Sequence, residues 1–506
     1  MAKLNFLRWW VKMYLGKTIV ELHELLVNKK VTPLELTLEA IEYLKKDQTN
    51  AIEVICEKEA IEFAKSLKEP EVDNLLWGIP YACKDNFSTK DILTTGSSEI
   101  LKDYIPVFDA TVVKKLKEKK AVLLCKSTLD ELAMGGTGTT SHKGITYNPY
   151  DDSKTYKIGG SSSGSASLTA QGIVPFSLGS DTGDSVRKPA TYAGLVGLKP
   201  TWGRISRYGV FPFAPSLDHV AYFTRTVKDS AIILENIAGE DLLNDATCST
   251  RKVEKYYSLI DGQIKGKKIA VIKEINDAIV DLDIKSKMDE CINLLKKQGA
   301  IVEEVSFDKN LLQAVYPTYM IISCAEATSN NANLDGIKFG PRIGDESSYE
   351  EVMINSRTKG FGELIKRRFV IGSYSLLSSN KEELFIRAQK IRRLIVNKAN
   401  EILNNYDSVL TPCSAKVKSP YEVHSDDVSN SLDINSLIIE NHLAIGNFGG
   451  FPSISIPVGI SDGFPFAFNF TSKIFDEVNL FNIAYALEQE LGLENLSTIT
   501  VKKVNN

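Results

Sequence analysis

Histidine is scarce in this chain. Only five occur among 506 residues (His23, His142, His219, His424 and His442), and none stands in a G-x-S-x-G turn. A Ser-His-Asp hydrolase therefore has little to build on. The seven cysteines (Cys56, Cys83, Cys125, Cys248, Cys291, Cys324 and Cys413) form no CxxC pair and are odd in number. That argues against a disulfide framework or a zinc site and for free thiols in a reducing compartment. Charge of one sign is also lacking. Sixty Lys and Arg against 64 Asp and Glu leave a formal charge of −4, so nothing favours a surface that coats nucleic acid, and only a local basic patch stays open. No apolar run reaches the length of a membrane span. Even the apolar start is interrupted by Arg8, Lys12 and Lys17, and it reads as an amphipathic arm on a cytoplasmic protein. Long Pro/Gly/Ser linkers, low-complexity blocks and fixed-period repeats are missing as well.

What is present is enough apolar residue, 43% of the chain, to bury a large core without staples. Helical and extended patterns alternate, which predicts one large α/β domain with a mixed central β-sheet covered by helices. Ile19, Leu22, Leu25 and Leu26 recur at helical spacing, and Pro33 sits where a second helix over 34–44 would begin. Residues 111–120 read as a basic amphipathic helix feeding a buried strand at 121–125, and the strands at 268–272 and 300–302 repeat that logic. The run 77–83 (WGIPYAC) is short and apolar, so Lys84 emerges at a strand end, where α/β folds commonly carry function. We divide the domain into a helical arm at about 1–70, a core at about 75–235 and a weakly patterned, cap-like stretch at about 306–380.

Two small-residue tracts carry the chemistry: GGSSSGSAS at 159–167 and GSDTGDSVRKPA at 179–190. Each offers hydroxyls flanked by glycines, so that a serine can be presented on a tight turn with backbone N–H groups facing a ligand. The first tract could also be a linker or a phosphate cradle, although it lacks the Lys-Ser/Thr pair of a P-loop. The second could be only a Gly-rich turn entering a helix. A hydroxyl nucleophile needs a base, and with histidine scarce a lysine can serve if burial makes it neutral. Most lysines are solvated surface charges; Lys84 stands out because it follows a buried apolar run.

These tracts, with LWGIPYACKDN (76–86), DELAMGG (130–136) and the extension of the second tract to RYGV at 210, resemble the amidase signature family over nearly the whole chain. The tracts RISRYGV, SNNANLDGIKFG and KRRFVIGSY are similar to its tRNA-dependent amidotransferase branch. The resemblance implies that Ser185 is the nucleophile, Ser161 a bridging serine behind a cis peptide, and Lys84 the terminal base. It implies an oxyanion hole from the N–H groups of Thr182, Gly183, Asp184 and Ser185, and glutamine held by Arg368, Tyr319 and Glu440. It further implies ammonia release to B and C partner subunits of a heterotrimer, which convert Glu-tRNA(Gln) to Gln-tRNA(Gln) with ATP and Mg²⁺. Misacylated tRNA would be held mainly by the partner, and this chain itself would need neither metal nor cofactor nor membrane.

The chain departs from that pattern in places. Gly-Gly-Ser reads Gly183-Asp184-Ser185, and the glutamine four residues on is Lys188. Asp184 and Lys188 lie at a favourable helical spacing and are expected to compensate each other. Glu440 replaces an aspartate, Ile158 a proline, and Thr139 a glutamate, the last putting the ammonia route rather than amide cleavage in question. The alternatives are a stand-alone amidase of another amide and a non-catalytic structural subunit.

Overall fold

Thr18 and Thr32 open two helices in the same way: each hydroxyl accepts the N–H of a glutamate three residues on (Glu21, Glu35), whose carboxylate reaches back to the threonine N–H. These capping boxes start the helices Ile19–Val27 and Pro33–Leu44, both at the positions that periodicity marks. The computed structural model describes residues 14–344, 348–421 and 434–498. The amphipathic start, as far as residue 13, and His424 lie outside the described residues.

Among the described residues, eleven strands form one mixed sheet. In chain order they are β1 (Ile52–Ile55), β2 (Pro80–Lys84), β3 (Val122–Ser127), β4 (Phe176–Asp181), β5 (Val196–Lys199), β6 (His219–Thr224), β7 (Lys268–Ile272), β8 (Ile301–Val305), β9 (Ser408–Pro412), β10 (Ser453–Ser461) and β11 (Phe464–Thr471). Their spatial order is β1-β3-β2-β4-β6-β5-β10-β11-β9-β7-β8. Strand β2 runs parallel to β3 and β4, and β7 runs parallel to β8 and β9, while the other neighbours are antiparallel.

Alternation along β2 sets the layers. Tyr81 and Cys83 join an apolar cluster with Ile19, Leu22 and Val112, whereas Ala82 joins another with Ala60 and Leu168. Successive strand side chains point to opposite faces, so helices cover both sides, and Lys84 leaves on the face of Ala82, toward the helix Ser163–Ala170. The helix Thr111–Glu118 feeds β3 as expected. The stretch at 306–380 is mostly helical, with Val315–Asn330 packed against Glu363–Leu376. All seven cysteines are free and buried. Among the described residues no helix is long and apolar enough to cross a membrane.

Candidate active site

The serine tract at 159–167 is not a linker. Its residues are buried, and from Ser163 it forms the helix Ser163–Ala170 pressed against the sheet. A Cβ on Gly164 would stand 2.4 Å from the Ala51 carbonyl oxygen and 2.7 Å from the Thr128 nitrogen, so only glycine permits that approach. The serines beside it bond to the strands: Ser165 Oγ lies 2.7 Å from Ser127 Oγ and donates to the Leu178 carbonyl at 2.8 Å. Ile158, where the family pattern has proline, packs in a small cluster with Ala166, Val186 and Ala190.

Lys84 ends β2 with no solvent exposure. Its Nζ donates to Ser161 Oγ at 2.7 Å and to Ser180 Oγ at 3.0 Å. Burial lowers its pKa to about 7, against the opposing pull of Asp130, Asp181 and Asp218. A substantial neutral fraction at neutral pH makes the amine a usable base.

The Gly160–Ser161 peptide is cis, as the resemblance implies. Asp130, the acid of DELAMGG, anchors this turn. Its N–H donates to the Ser161 carbonyl at 3.0 Å, and its carboxylate accepts the N–H groups of Thr137, Gly138, Thr139 and Thr140 at 3.0–3.1 Å. A Cβ on Gly160 would fall 2.0 Å from Asp130 Oδ2. Thr139 keeps its place in this loop, its hydroxyl 2.6 Å from that of Thr137.

Ser185 sits on the turn between β4 and the helix Arg187–Ala193, 4% exposed. The N–H of Ser162 donates to its carbonyl at 3.3 Å, which brings the two serine tracts together. Among the described residues no hydrogen bond joins the Ser161 and Ser185 hydroxyls; catalytic hydrogen bonds often tighten only on binding. The turn itself is held from below by a fully buried ion pair that sequence reasoning missed. Arg187 donates to Asp181 at 2.9 Å, to the Gly183 carbonyl at 2.7 Å, to Asn447 Oδ1 at 2.7 Å and to the Leu443 carbonyl at 2.8 Å. Burial opposes the charge on Asp181, but Arg187 and Asn447 hold its carboxyl well below the usual range. With the Gly183 and Asp184 carbonyls tied to Arg187 and to the Lys188 N–H, the N–H groups of Thr182, Gly183, Asp184 and Ser185 donate to no acceptor among the described residues. They can hold an oxyanion.

The substrate end is built from distant segments. The Tyr319 ring covers Gly183, where a Cβ would meet it at 3.0 Å. Tyr319 stands edge-on to Phe213 with centroids 6.5 Å apart, and the Arg368 guanidinium lies 5.5 Å from that same ring. Arg368 is buried rather than lying on a solvated helix face.

Glu440, which the resemblance assigns to the substrate ammonium, holds the ammonium of Lys188. Its carboxylate is hydrogen-bonded to Lys188 Nζ, its backbone carbonyl accepts from the same Nζ at 3.0 Å, and its other oxygen accepts the Ala415 N–H at 2.8 Å. The expected Asp184–Lys188 pair exists at 3.8 Å, but Glu440 is the closer partner. Burial opposes ionisation of both partners, yet their mutual attraction keeps Lys188 raised and Glu440 lowered. Burial pushes Asp184 up to about 6, with Lys188 pulling the other way. A cavity of about 220 Å³ is lined by Ser180, Thr182, Phe213 and Asp218.

A sequence profile of the amidase family matches residues 34–481. The chain is 40% identical over 481 residues to the A subunit of glutamyl-tRNA(Gln) amidotransferase from Streptococcus pneumoniae, covering 94% of this chain and 96% of that protein. It is similar to the crystal structure of the Thermotoga maritima protein of the same name, with a TM-score of 0.76, 36% identity and 94% of each chain covered. The peptide amidase of Stenotrophomonas maltophilia shares the fold, with a TM-score of 0.76 at 23% identity, over 96% of this chain and 98% of that one.

Proposed function

Because the chain belongs to the amidase family, we propose that it is the glutamine-hydrolysing component of a tRNA-dependent amidotransferase. The observation that carries this reading is the buried 2.7 Å contact from Lys84 Nζ to Ser161 Oγ, next to the turn of Ser185. In this reading Ser185 Oγ attacks the side-chain amide of glutamine, and its proton passes through Ser161 to the neutral Lys84 amine. The N–H groups of Thr182, Gly183, Asp184 and Ser185 hold the oxyanion. As the carbon–nitrogen bond breaks, Lys84 returns the proton through Ser161 to the leaving ammonia. A γ-glutamyl ester remains on Ser185, and water cleaves it by the same route in reverse. Arg368 supplies the cation for the substrate α-carboxylate and Glu440 the anion for its α-ammonium, with Tyr319 between the pocket and the turn. Ammonia passes to B and C subunits, where ATP and Mg²⁺ act on misacylated tRNA; a cytoplasmic setting suits free thiols.

The test is glutamine hydrolysis by the purified chain, alone and with candidate B and C subunits, for wild type and Ser185→Ala. Ser185-dependent turnover that rises with partners, ATP and misacylated tRNA is expected. Equal turnover of unrelated amides without partners would instead support a second reading, a stand-alone amidase. The lysine already seated on Glu440 is the observation that favours that alternative.

A further inference from the structure

Lys188, Asp184 and Glu440 stand where the resemblance implies a glutamine, a glycine and an aspartate, and the structure brings the three into one ionic cluster. The Glu440 carboxylate and backbone carbonyl form an ammonium cradle, and the ammonium now in it is that of Lys188, three residues after Ser185. A second carboxylate, Asp184, waits 3.8 Å away on the other side of Lys188 Nζ. The three side chains keep 13%, 23% and 22% exposure for Lys188, Asp184 and Glu440, so a ligand can reach them. Lysine ends on a flexible four-carbon stem, and a rotation of its last bonds carries Nζ from one carboxylate to the other.

We propose that Lys188 is a displaceable stand-in for the substrate's α-ammonium: glutamine takes Glu440, Lys188 moves fully onto Asp184, and the loose 3.8 Å pairing of the negative charge beside the oxyanion tightens to direct contact only when an ammonium-bearing substrate is bound. The inference rests on the glutaminase reading and deepens it. No covalent bond changes in the exchange; one ammonium replaces another on Glu440, and the net charge of the cluster rises by that of the incoming group. Asp184 directly precedes Ser185, so an ionised and poorly neutralised carboxylate there opposes the charge that develops on the carbonyl oxygen, an effect strengthened by partial burial. A substrate without an α-ammonium leaves Lys188 on Glu440 and meets that opposing charge. The pocket therefore discriminates in kcat as well as in KM, whereas a plain glutamate cradle would discriminate in binding alone. Lys188 is a specificity-determining residue in this scheme, acting through Asp184.

The experiment compares glutamine with glutaramate, the same molecule without its amino group, in the full chain with its partner subunits. Wild type is expected to turn over glutamine with a kcat about tenfold above that for glutaramate. Lys188→Gln should lower kcat for glutamine about tenfold while lowering its KM, because Glu440 is left vacant. Asp184→Gly combined with Lys188→Gln should restore kcat for both substrates and leave the discrimination in KM. Asp184→Asn, which leaves the displaced lysine no acceptor, should raise the glutamine KM about tenfold, and it keeps the test intact if Lys188→Gln does not fold. Equal kcat values for the two substrates in wild type would overturn the exchange, as would a kcat gap that survives in the double variant or a higher glutamine KM in Lys188→Gln. Absence of any Ser185-dependent glutamine turnover in wild type would instead remove the glutaminase reading itself.

Discussion

The two ends of the pocket are built differently. The chemical end, from Lys84 through Ser161 to Ser185, is at most 4% exposed and rests on anchors that are themselves buried, Asp130 under one serine turn and the Asp181–Arg187 pair under the other. The recognition end, from Asp184 through Lys188 to Glu440, keeps some solvent and shares one lysine between two carboxylates. The first leaves little freedom because its buried polar groups each hold several partners at once, Lys84 two serine hydroxyls and Asp130 four backbone N–H groups; in the second, one lysine is shared between two carboxylates.

The largest expected effect tests whether the chemical end acts as a unit. Ser185→Ala and Lys84→Ala should each lower kcat by about 10⁴-fold or more, and the double variant should be no worse than either, as for residues serving one proton path. Single-turnover rates on glutamine read this directly, and additive losses would break the unit. Next in size is the anchor. Arg187→Met leaves Asp181 charged and buried, and should destabilise the chain by about 3–5 kcal/mol, read as a fall in the denaturant midpoint at constant m-value. A drop in activity without a drop in stability would make Arg187 part of the recognition end instead. For that end, Arg368→Ala should raise the glutamine KM by about 10- to 100-fold, corresponding to one charge-assisted hydrogen bond of roughly 1.5–3 kcal/mol, with kcat changed far less.

The same division explains what could be read from the sequence. Lys84, Ser161 and Ser185 sit in short continuous tracts whose glycines and small residues signal tight packing, and a strand end followed by Lys-Asp-Asn is visible without a fold. The helices at 19–27 and 33–44 are equally legible, because Thr18 and Thr32 carry their capping glutamates three residues on. Arg187 does not stand out in the sequence, although it lies two residues after Ser185. Its partners Leu443 and Asn447 are more than 250 residues away, and nothing local distinguishes a buried arginine from a surface one. Asp130 stands in the DELAMGG tract, but its four backbone bonds to 137–140 come from a turn that only the fold shows. The capture of Glu440 by Lys188 is out of reach of sequence, since the expected partner at helical spacing, Asp184, is present, and only the fold brings the helix Ile434–Asn441 close enough to compete.

The smallest effect bears on the boundary between the two ends, because each holds one group that titrates near neutrality. Lys84 must be neutral to accept the proton of Ser161, and burial brings its pKa down to about 7. A base with a lowered pKa gains its active form as pH rises, so kcat/KM should be level above pH 7 and fall below it, by about tenfold per unit at full slope. Asp184, pushed up to about 6 by burial, gains charge over nearly the same interval in the opposite sense for catalysis, since its ionised form opposes the oxyanion. If the two ends are independent, the profile shows the Lys84 limb alone. If Asp184 bears on the chemistry, then Asp184→Gly with Lys188→Gln should steepen the rise and lift the plateau, because the gain from a neutral Lys84 is no longer offset by a newly charged neighbour. Profiles of kcat/KM for glutamine between pH 5 and 9 in wild type and the double variant decide this, and superimposable curves would confine Asp184 to binding.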